Sequence, residues 1–461
     1  MTPTASAWHK PSASASLPPG PAAPALLQML HWTLRPTQFI RECAGRYGEV
    51  FTLRLGVGGH IRTAVIISDP EAVAAIFCDP SLSQTGAPRE SIEPVFGSNS
   101  ILLADGAEHL RQRRLISSSL RASQLERCAE ITSTATDREL EGWPLGKPLA
   151  LRSRMQAVML EVILSAVFGL DDPANRETIG HHIHRLLTLV ANPAPAFAMG
   201  LPRSIGLLDL HALPARRRSA ADAVLSEEFA RRRADRTIAE RTDVLSCLLA
   251  ASDDEDFPLS DAELCDQLVT LLLAGHETTA TALAWTFDYL LHTPVALARV
   301  VSEAHNEQSS GQYIDAVVSE SLRLRPPLPL IQRALTSPMT VQGHDLPAGT
   351  RVMLCAYLLH RHPEIYDRPE AFEPERFLGQ TPAPQTWFPF GGGTRRCLGA
   401  SFARLQMRVM LKRVFGRVRL RSRFRHTEAV RRRAIVFAPA RGCQVIVEAR
   451  WDRAREHPAA L

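Results

Sequence analysis

A mainly α fold of the α+β kind, built as one helix-rich domain with small β-sheets, is what this sequence predicts. Three observations point to it. Residues Asp261–His292 form one long apolar stretch with few charges, which reads as a helix running through the middle of a large domain. Strand-like alternation is confined to short stretches towards the two ends. No internal repeat divides the 461 residues, and hydrophobic residues make up 45% of them, enough for a sizeable core.

Taken in order, residues 1–24 are rich in Ala, Ser, Thr and Pro and read as a disordered tail, leaving 25–461 as the domain. The apolar run Ala25–Leu34 contains Gln28, His31 and Trp32 and falls far short of the roughly 20 residues that span a bilayer. The tail lacks a charged start followed by an apolar run, so a signal peptide fits poorly. A cytoplasmic protein without a membrane anchor is therefore expected. Pro36–Tyr47 reads as a short helix. Glu49–Leu55 and Thr63–Ser68 read as a strand pair, turned by Gly56–Gly59. Asp69-Pro70 opens a helix through Phe77, and Ser81–Asn99, with its Gly, Pro and Ser, reads as an irregular loop.

Gly106 to roughly Trp143 is helical, as is Arg154–Phe168. Thr178–Ala251 is mostly helical, broken by Pro193, Pro195, Pro202 and Pro214. The basic runs Arg216–Arg218 and Arg231–Arg233 read as solvated helix faces. After Pro326-Pro327 come short strands at Thr340–Val341 and Thr350–Leu354. Ser401–Val414 returns to helix, and Ile435–Val447 is strand-like.

The formal charge is +5 and charged residues are 22%, which does not suggest nucleic-acid binding. Of the 8 cysteines, none forms a C-x-x-C pair and no Cys/His spacing suits structural zinc. A disulfide scaffold does not suit so long and core-rich a chain. Seven cysteines read as reduced, mostly buried thiols. Cys397 differs. It lies in Phe390-Gly391-Gly392-Gly393-Thr394-Arg395-Arg396-Cys397-Leu398-Gly399, beside two arginines and just before a helix N-terminus. Glycines free backbone amides, and nearby cations and the helix dipole lower a thiol pKa. That chemistry suits a metal-binding thiolate, and it equally suits a nucleophile. The G-K-[ST] of a phosphate loop is missing.

This segment resembles the heme-binding signature of the cytochrome P450 family, F-x-x-G-x-R-x-C-x-G, at every fixed position. The resemblance implies the cytochrome P450 fold, with heme b held by Cys397 as axial thiolate. It also implies that Phe390 packs near the sulfur, that Arg395 pairs with a heme propionate, and that Gly399 is one of the cofactor-binding residues.

Further segments match in the family's order. Ala274-Gly275-His276-Glu277-Thr278-Thr279 lies inside the long helix, where a glycine costs about 1 kcal/mol relative to Ala and buried polar groups need a reason. By itself this is equally a kinked core helix. It is not the zinc motif H-E-x-x-H, because Ala280 stands at the second His position. It resembles the family's oxygen-activation motif, which implies that Ala274 faces the heme, that Thr278 hydrogen-bonds bound dioxygen and that Glu277 relays protons from solvent.

Glu320 and Arg323 lie at i, i+3 on one helix face, in isolation an ordinary surface ion pair. With Pro374-Glu375-Arg376-Phe377 they resemble the family's E-x-x-R helix and meander, implying a buried structural triad of Glu320, Arg323 and Arg376. His109 and Arg113, at i, i+4, resemble a propionate-binding pair, and Arg333 a third such contact. Family position implies a substrate pocket drawing on Ile101, Leu102, Ala274, Leu330 and Ile331.

The implied reaction is monooxygenation, R–H + O2 + 2 e⁻ + 2 H⁺ giving R–OH + H2O. The expected substrate is a lipophilic small molecule such as a fatty acid, terpenoid, steroid or polyketide. A basic excess runs from Arg395 to Arg425 and would steer an acidic electron carrier. The expected donor is a separate ferredoxin or flavodoxin-type protein served by an NAD(P)H reductase, with the enzyme itself a monomer. The alternative is a heme-based sensor or binding protein without monooxygenase turnover. The sensor would need an output domain, for which this length leaves no room, and a peroxide-using or isomerising heme-thiolate enzyme, the other alternative, would dispense with the Glu277–Thr278 pair.

Overall fold

The apolar stretch after Ser260 forms one helix, Asp261–Leu291, opened by a capping box in which Ser260 and Glu263 each accept from the other's backbone N–H. The computed structural model describes residues 17–451 apart from 58–59, 88, 121, 171, 192–203, 206–207, 210–211, 253–258, 381 and 434. In chain order the first helices are α1 (Ala25–Leu34), α2 (Pro36–Tyr47), α3 (Pro70–Cys78), α4 (Arg89–Phe96) and α5 (Gly106–Ser118). Next are α6 (Ala122–Glu141), α7 (Leu151–Ala166), α8 (Pro173–Ala191), α9 (Ala212–Arg233) and α10 (Val244–Ser252). The long helix is α11, followed by α12 (Pro294–His305), α13 (Gln312–Leu324), α14 (Ala356–Leu359) and α15 (Ala400–Phe415).

The strands are β1 (Val50–Val57), β2 (His60–Ile67), β3 (Ser83–Thr85), β4 (Pro148–Ala150), β5 (Ser204–Ile205), β6 (Leu208–Asp209) and β7 (Leu330–Leu335). After them come β8 (Met339–Val341), β9 (His344–Leu346), β10 (Arg351–Cys355), β11 (Val418–Ser422), β12 (Val430–Arg433), β13 (Val436–Pro439) and β14 (Gln444–Arg450). The largest sheet has the order β1-β2-β10-β7-β3, and β11-β14-β4 makes a second. In the first, only β10 and β2 run parallel.

Helix α11 belongs to two cores. Its N-terminal half gives Leu264, Leu268, Val269, Leu272 and Leu273 to a cluster with α8, α9 and α10. Its C-terminal half gives Ala280, Leu283, Phe287 and Leu290 to a larger cluster with α7, α13 and α15. The Ala274–Thr279 segment lies at the seam between them.

Several expectations change. Ser81–Asn99 is not one irregular loop. It contains β3 and α4, and α4 carries Pro94 within it. The first hairpin is longer than expected, β1 continuing through Gly56 to Val57. Ala25–Leu34 is a helix that buries Gln28 and Trp32. Of the tail expected to be disordered, 1–16 lie outside the described residues, while Pro18 and Pro19 accept hydrogen bonds from Thr52 at 2.7 and 2.9 Å. Pro193, Pro195 and Pro202 also lie outside them. The basic runs are not simply solvated faces, since Arg218 and Arg232 are buried against carboxylates. Among the cysteines Cys78 is exposed. Among the described residues no helix is long and apolar enough to cross a membrane.

Candidate active site

The loop before α15 closes on itself, Cys397 N–H donating to Phe390 O at 2.9 Å and Gly391 N–H to Phe388 O at 2.9 Å. Its glycines answer to packing on α3. A Cβ at Gly393 would stand 2.3 Å from the Phe77 carbonyl oxygen, and Gly393 has a φ of +63°, so only glycine fits there. A Cβ at Gly392 would meet the Phe77 ring at 2.4 Å. Phe390 packs at the edge of the Trp387 ring, at the margin of the larger core.

Cys397 is exposed, yet protein surrounds it densely enough that burial pushes its thiol up. The Gly399 N–H, Arg113 and Arg396 pull the other way and are outweighed. The sequence, which displays charges but not burial, predicts a lowered thiol, and that expectation is corrected here. A metal at that sulfur would itself deprotonate it.

Ala274 is exposed in the middle of α11, where Leu272, Leu273, His276 and Glu277 around it are buried. An alanine exposed at mid-helix and flanked by core residues leaves one face of α11 uncovered there. The Thr278 hydroxyl donates to the Ala274 carbonyl at 2.6 Å. Glu277 is buried and gives one carboxylate oxygen to Arg152 and the other to Gln156 Nε2, at 2.6 Å. Neither partner is signalled in the sequence. His276 is held neutral, pushed down to about 4 chiefly by burial.

His109, Arg113, Arg333 and Arg395 converge. Burial, then Arg395, Arg113 and Arg333 together push His109 down to about 4. Arg333, also mainly through burial, falls to about 10. Arg113 donates to Arg396 O at 2.7 Å, and Arg395 pairs with Asp105, a partner that no local motif signals. Among the described residues Asp105 is the carboxylate that acts on Arg333 and Arg395. Crowded, half-buried cations with so little compensation are costly unless an anion joins them.

Glu320, Arg323 and Arg376 do come together. Glu320 accepts from Arg323 Nε and Nη2 at 2.7 and 2.8 Å and from Arg376 Nε at 3.2 Å, and neither Glu320 nor Arg323 has any exposed side-chain surface. Arg323 also donates to the carbonyls of His360, Pro369 and Ala371 at 2.7, 2.7 and 3.0 Å.

The residues expected to line a pocket separate. Ile101 is buried and Leu102 is 38% exposed. Leu330 and Ile331 adjoin on β7, so they point to opposite faces. Leu330 packs with the Trp32 and Phe39 cluster, while Ile331 stands beside Gly391 of the cysteine loop. The two do not share one wall.

Residues 17–441 match the family model described as Cytochrome P450. The chain is 37% identical over 446 residues to the putative cytochrome P450 135B1 of Mycobacterium tuberculosis (strain ATCC 25618 / H37Rv), covering 96% of this chain and 93% of the relative. It is 37% identical over 403 residues to the putative cytochrome P450 137 of the same organism, covering 87% and 83%. Among solved structures it resembles retinoic acid-bound cyanobacterial CYP120A1, with a TM-score of 0.79 and 25% identity, covering 95% of this chain and 100% of that one.

Proposed function

The chain belongs to the cytochrome P450 family of heme-thiolate monooxygenases, and from that premise we propose that Cys397 is the iron ligand and that the void between it and Ala274 takes heme and substrate. The observation that carries this is Cys397, exposed at the end of its glycine loop yet closely surrounded by protein, with its sulfur receiving the Gly399 N–H. The surroundings fit the cofactor. Its two carboxylates would meet His109, Arg113, Arg333 and Arg395, where cations lack compensation. Heme b, when bound, supplies the iron centre that activates O2 and delivers one of its atoms to a C–H bond.

The chain's own residues do the rest. Ala274 leaves room where any larger side chain would fill the void. The Thr278 hydroxyl, held by the Ala274 carbonyl, is placed to pass a proton into the void, and Glu277 is the adjacent acid that resupplies it. Arg152 and Gln156 fix the Glu277 carboxylate between α7 and α11. Glu320, Arg323 and Arg376 are structural. They clamp α13 to the meander and so hold the cysteine loop in register.

The substrate is a lipophilic small molecule. The retinoic acid of the cyanobacterial neighbour, an apolar chain ending in a carboxylate, supports that reading. Electrons come from a separate ferredoxin or flavodoxin-type donor. Arg408, Arg413, Arg417, Arg419 and Arg421 are engaged by Asp315, Asp137 and Glu448, so the docking charge rests on residues such as the exposed Arg396.

The test is the carbon monoxide difference spectrum of the reduced protein. A red-shifted thiolate band, lost in Cys397→Ala, is expected. A band at the histidine-ligated position overturns the assignment. Substrate-induced spin shifts across fatty acids, terpenoids, steroids and polyketides then identify the substrate class.

A further inference from the structure

Three arginines stand in a row at the end of β12: Arg431, Arg432 and Arg433. Strand β13 returns beside them, with Phe437 opposite Arg432 and Val436 opposite Arg433. The hairpin is pinned through Phe437. The Trp285 indole of α11 donates to Phe437 O at 2.8 Å, and Phe437 N–H donates to Pro327 O at 2.9 Å. Bonds to two different elements thus fix the hairpin beside α11.

Arg432 and Arg433 have different surroundings. Arg432 and Phe437 share the face turned to α1, where the Phe437 ring lies 5.7 Å from Trp32 and the Arg432 guanidinium 5.4 Å from the same ring. Neighbours along a strand point to opposite faces, so Arg433 points away from α1. The charges that act on it there are Arg152, Arg431 and Glu277. Arg433 therefore looks towards α11 at Glu277, which adjoins Thr278 and lies three residues on from Ala274.

Nothing in this corner neutralises Arg433. Burial lowers the pKa of its guanidinium, Arg152 and then Arg431 push the same way, and Glu277 opposes them least. Both Glu277 oxygens are already spent, on Arg152 and on Gln156. Among the described residues the Arg433 Nε is buried and has no hydrogen-bond partner. A half-buried guanidinium beside other cations is costly unless an anion joins it. The group of His109, Arg113, Arg333 and Arg395 is a separate one, and none of its members acts on Arg433. Beside this cation, at the turn of the hairpin, Ile435 leaves an apolar side chain 65% exposed. A cation without a partner next to uncovered apolar surface suits a molecule that is apolar along its length and anionic at one end.

We propose that Arg433 is a specificity-determining residue that takes the carboxylate of the substrate, so that the substrate class is an apolar acid, of the fatty-acid or retinoid kind, lying along α11 beside Ala274. The proposal rests on reading the space at Ala274 as the substrate chamber. The pinned hairpin holds the guanidinium in place before the acid arrives, so little is lost in ordering it.

The test is equilibrium dialysis of the heme-loaded full chain against two matched pairs, hexadecanoic acid with hexadecan-1-ol and retinoic acid with retinol. Wild type, Arg433→Met and Arg433→Lys are compared. Arg433→Met breaks no hydrogen bond or ion pair among the described residues, so the fold should survive it. Wild type should hold at least one acid more tightly than its alcohol by roughly 10- to 100-fold, the worth of a hydrogen bond to a charged partner. Arg433→Met should lose that preference with alcohol affinity unchanged, and Arg433→Lys should keep part of it. No acid preference in either pair, or an equal loss of acid and alcohol in Arg433→Met, overturns the proposal. Heme released by Arg433→Met with the acid preference intact assigns the residue to a heme carboxylate and overturns it too. The carbon monoxide spectrum keeps the two readings apart. A histidine-type band in wild type sinks the assignment of Cys397 whatever the dialysis shows, and a thiolate band without acid preference sinks only the role of Arg433.

Discussion

Arg152 and Glu277, 125 residues apart in sequence, form a buried ion pair across α7 and α11, their side chains 8% and 9% exposed. Thr281 sits against both, its hydroxyl 3.4 Å from Arg152 Nε and 3.5 Å from Glu277 Oε1. Removing one member of such a pair costs about 3–5 kcal/mol because the other stays charged and buried, whereas removing both costs far less. Arg152→Met should therefore lower stability by about that amount, and Arg152→Met/Glu277→Leu should regain most of it. Urea unfolding of the three proteins measures this. A double variant no better than Arg152→Met would mean that the pair does not act as a unit.

Thr278→Ala removes one hydroxyl whose hydrogen bond is internal to its own helix, so stability should change by only about 1 kcal/mol. The chemistry should suffer more. A positioned proton donor contributes about a hundredfold or more, and product formation should fall accordingly while O2 uptake continues. Simultaneous oxygen-electrode, peroxide and product measurements check this. Product and oxygen remaining in step would remove Thr278 from proton delivery.

Arg323→Lys preserves charge but not function. Lysine has three donors in place of the guanidinium fork, and here the fork serves two Glu320 oxygens and three carbonyls. A loss of about 3 kcal/mol or more is expected, with heme retention falling alongside. A denaturant midpoint within error of wild type would make the triad ornamental.

His360 gives a pH signature. It is fully buried, accepts from Phe388 N–H at 2.9 Å through Nε2 and meets Arg323 O at 3.2 Å through Nδ1, so the neutral ring alone satisfies both contacts. Burial pushes it down to about 3. Between that value and its ordinary 6.5 the unfolded chain binds the proton and the folded chain does not. Its stabilising contribution is thus complete above about pH 6.5 and is lost, at about 1.4 kcal/mol per pH unit, as pH falls towards 3. His360→Gln should flatten the acid limb of the stability curve by close to one proton. An unchanged slope would show that His360 does not titrate in this way.

The sequence was most readable where partners are close along the chain. Glu320 and Arg323 are three residues apart, and the cysteine loop is continuous, so both could be recognised before any fold was known. Helix α11 announced itself by its apolar length. Arg152 could not be matched to Glu277, because nothing local tells which of many arginines will lie opposite a given acid. Arg218 and Arg232 were misread for the same reason: a basic run looks solvated until the carboxylates facing it are known. Pro94 and its polar neighbours hid α4, since tertiary contacts with α9 and α11 outweigh weak local propensity. For Cys397 the cations were visible and the burial was not.

Helix α11 is shared lengthwise by two cores, and Ala274–Thr279 lies between them. It works as a common axle. A lesion in either cluster, however remote, turns or shifts the same rod and is felt at those six residues. Substitutions in α8–α10 chosen to admit a new ligand will therefore also reset the alignment of Thr278 with Cys397, and selectivity and coupling efficiency should drift together when this enzyme is evolved.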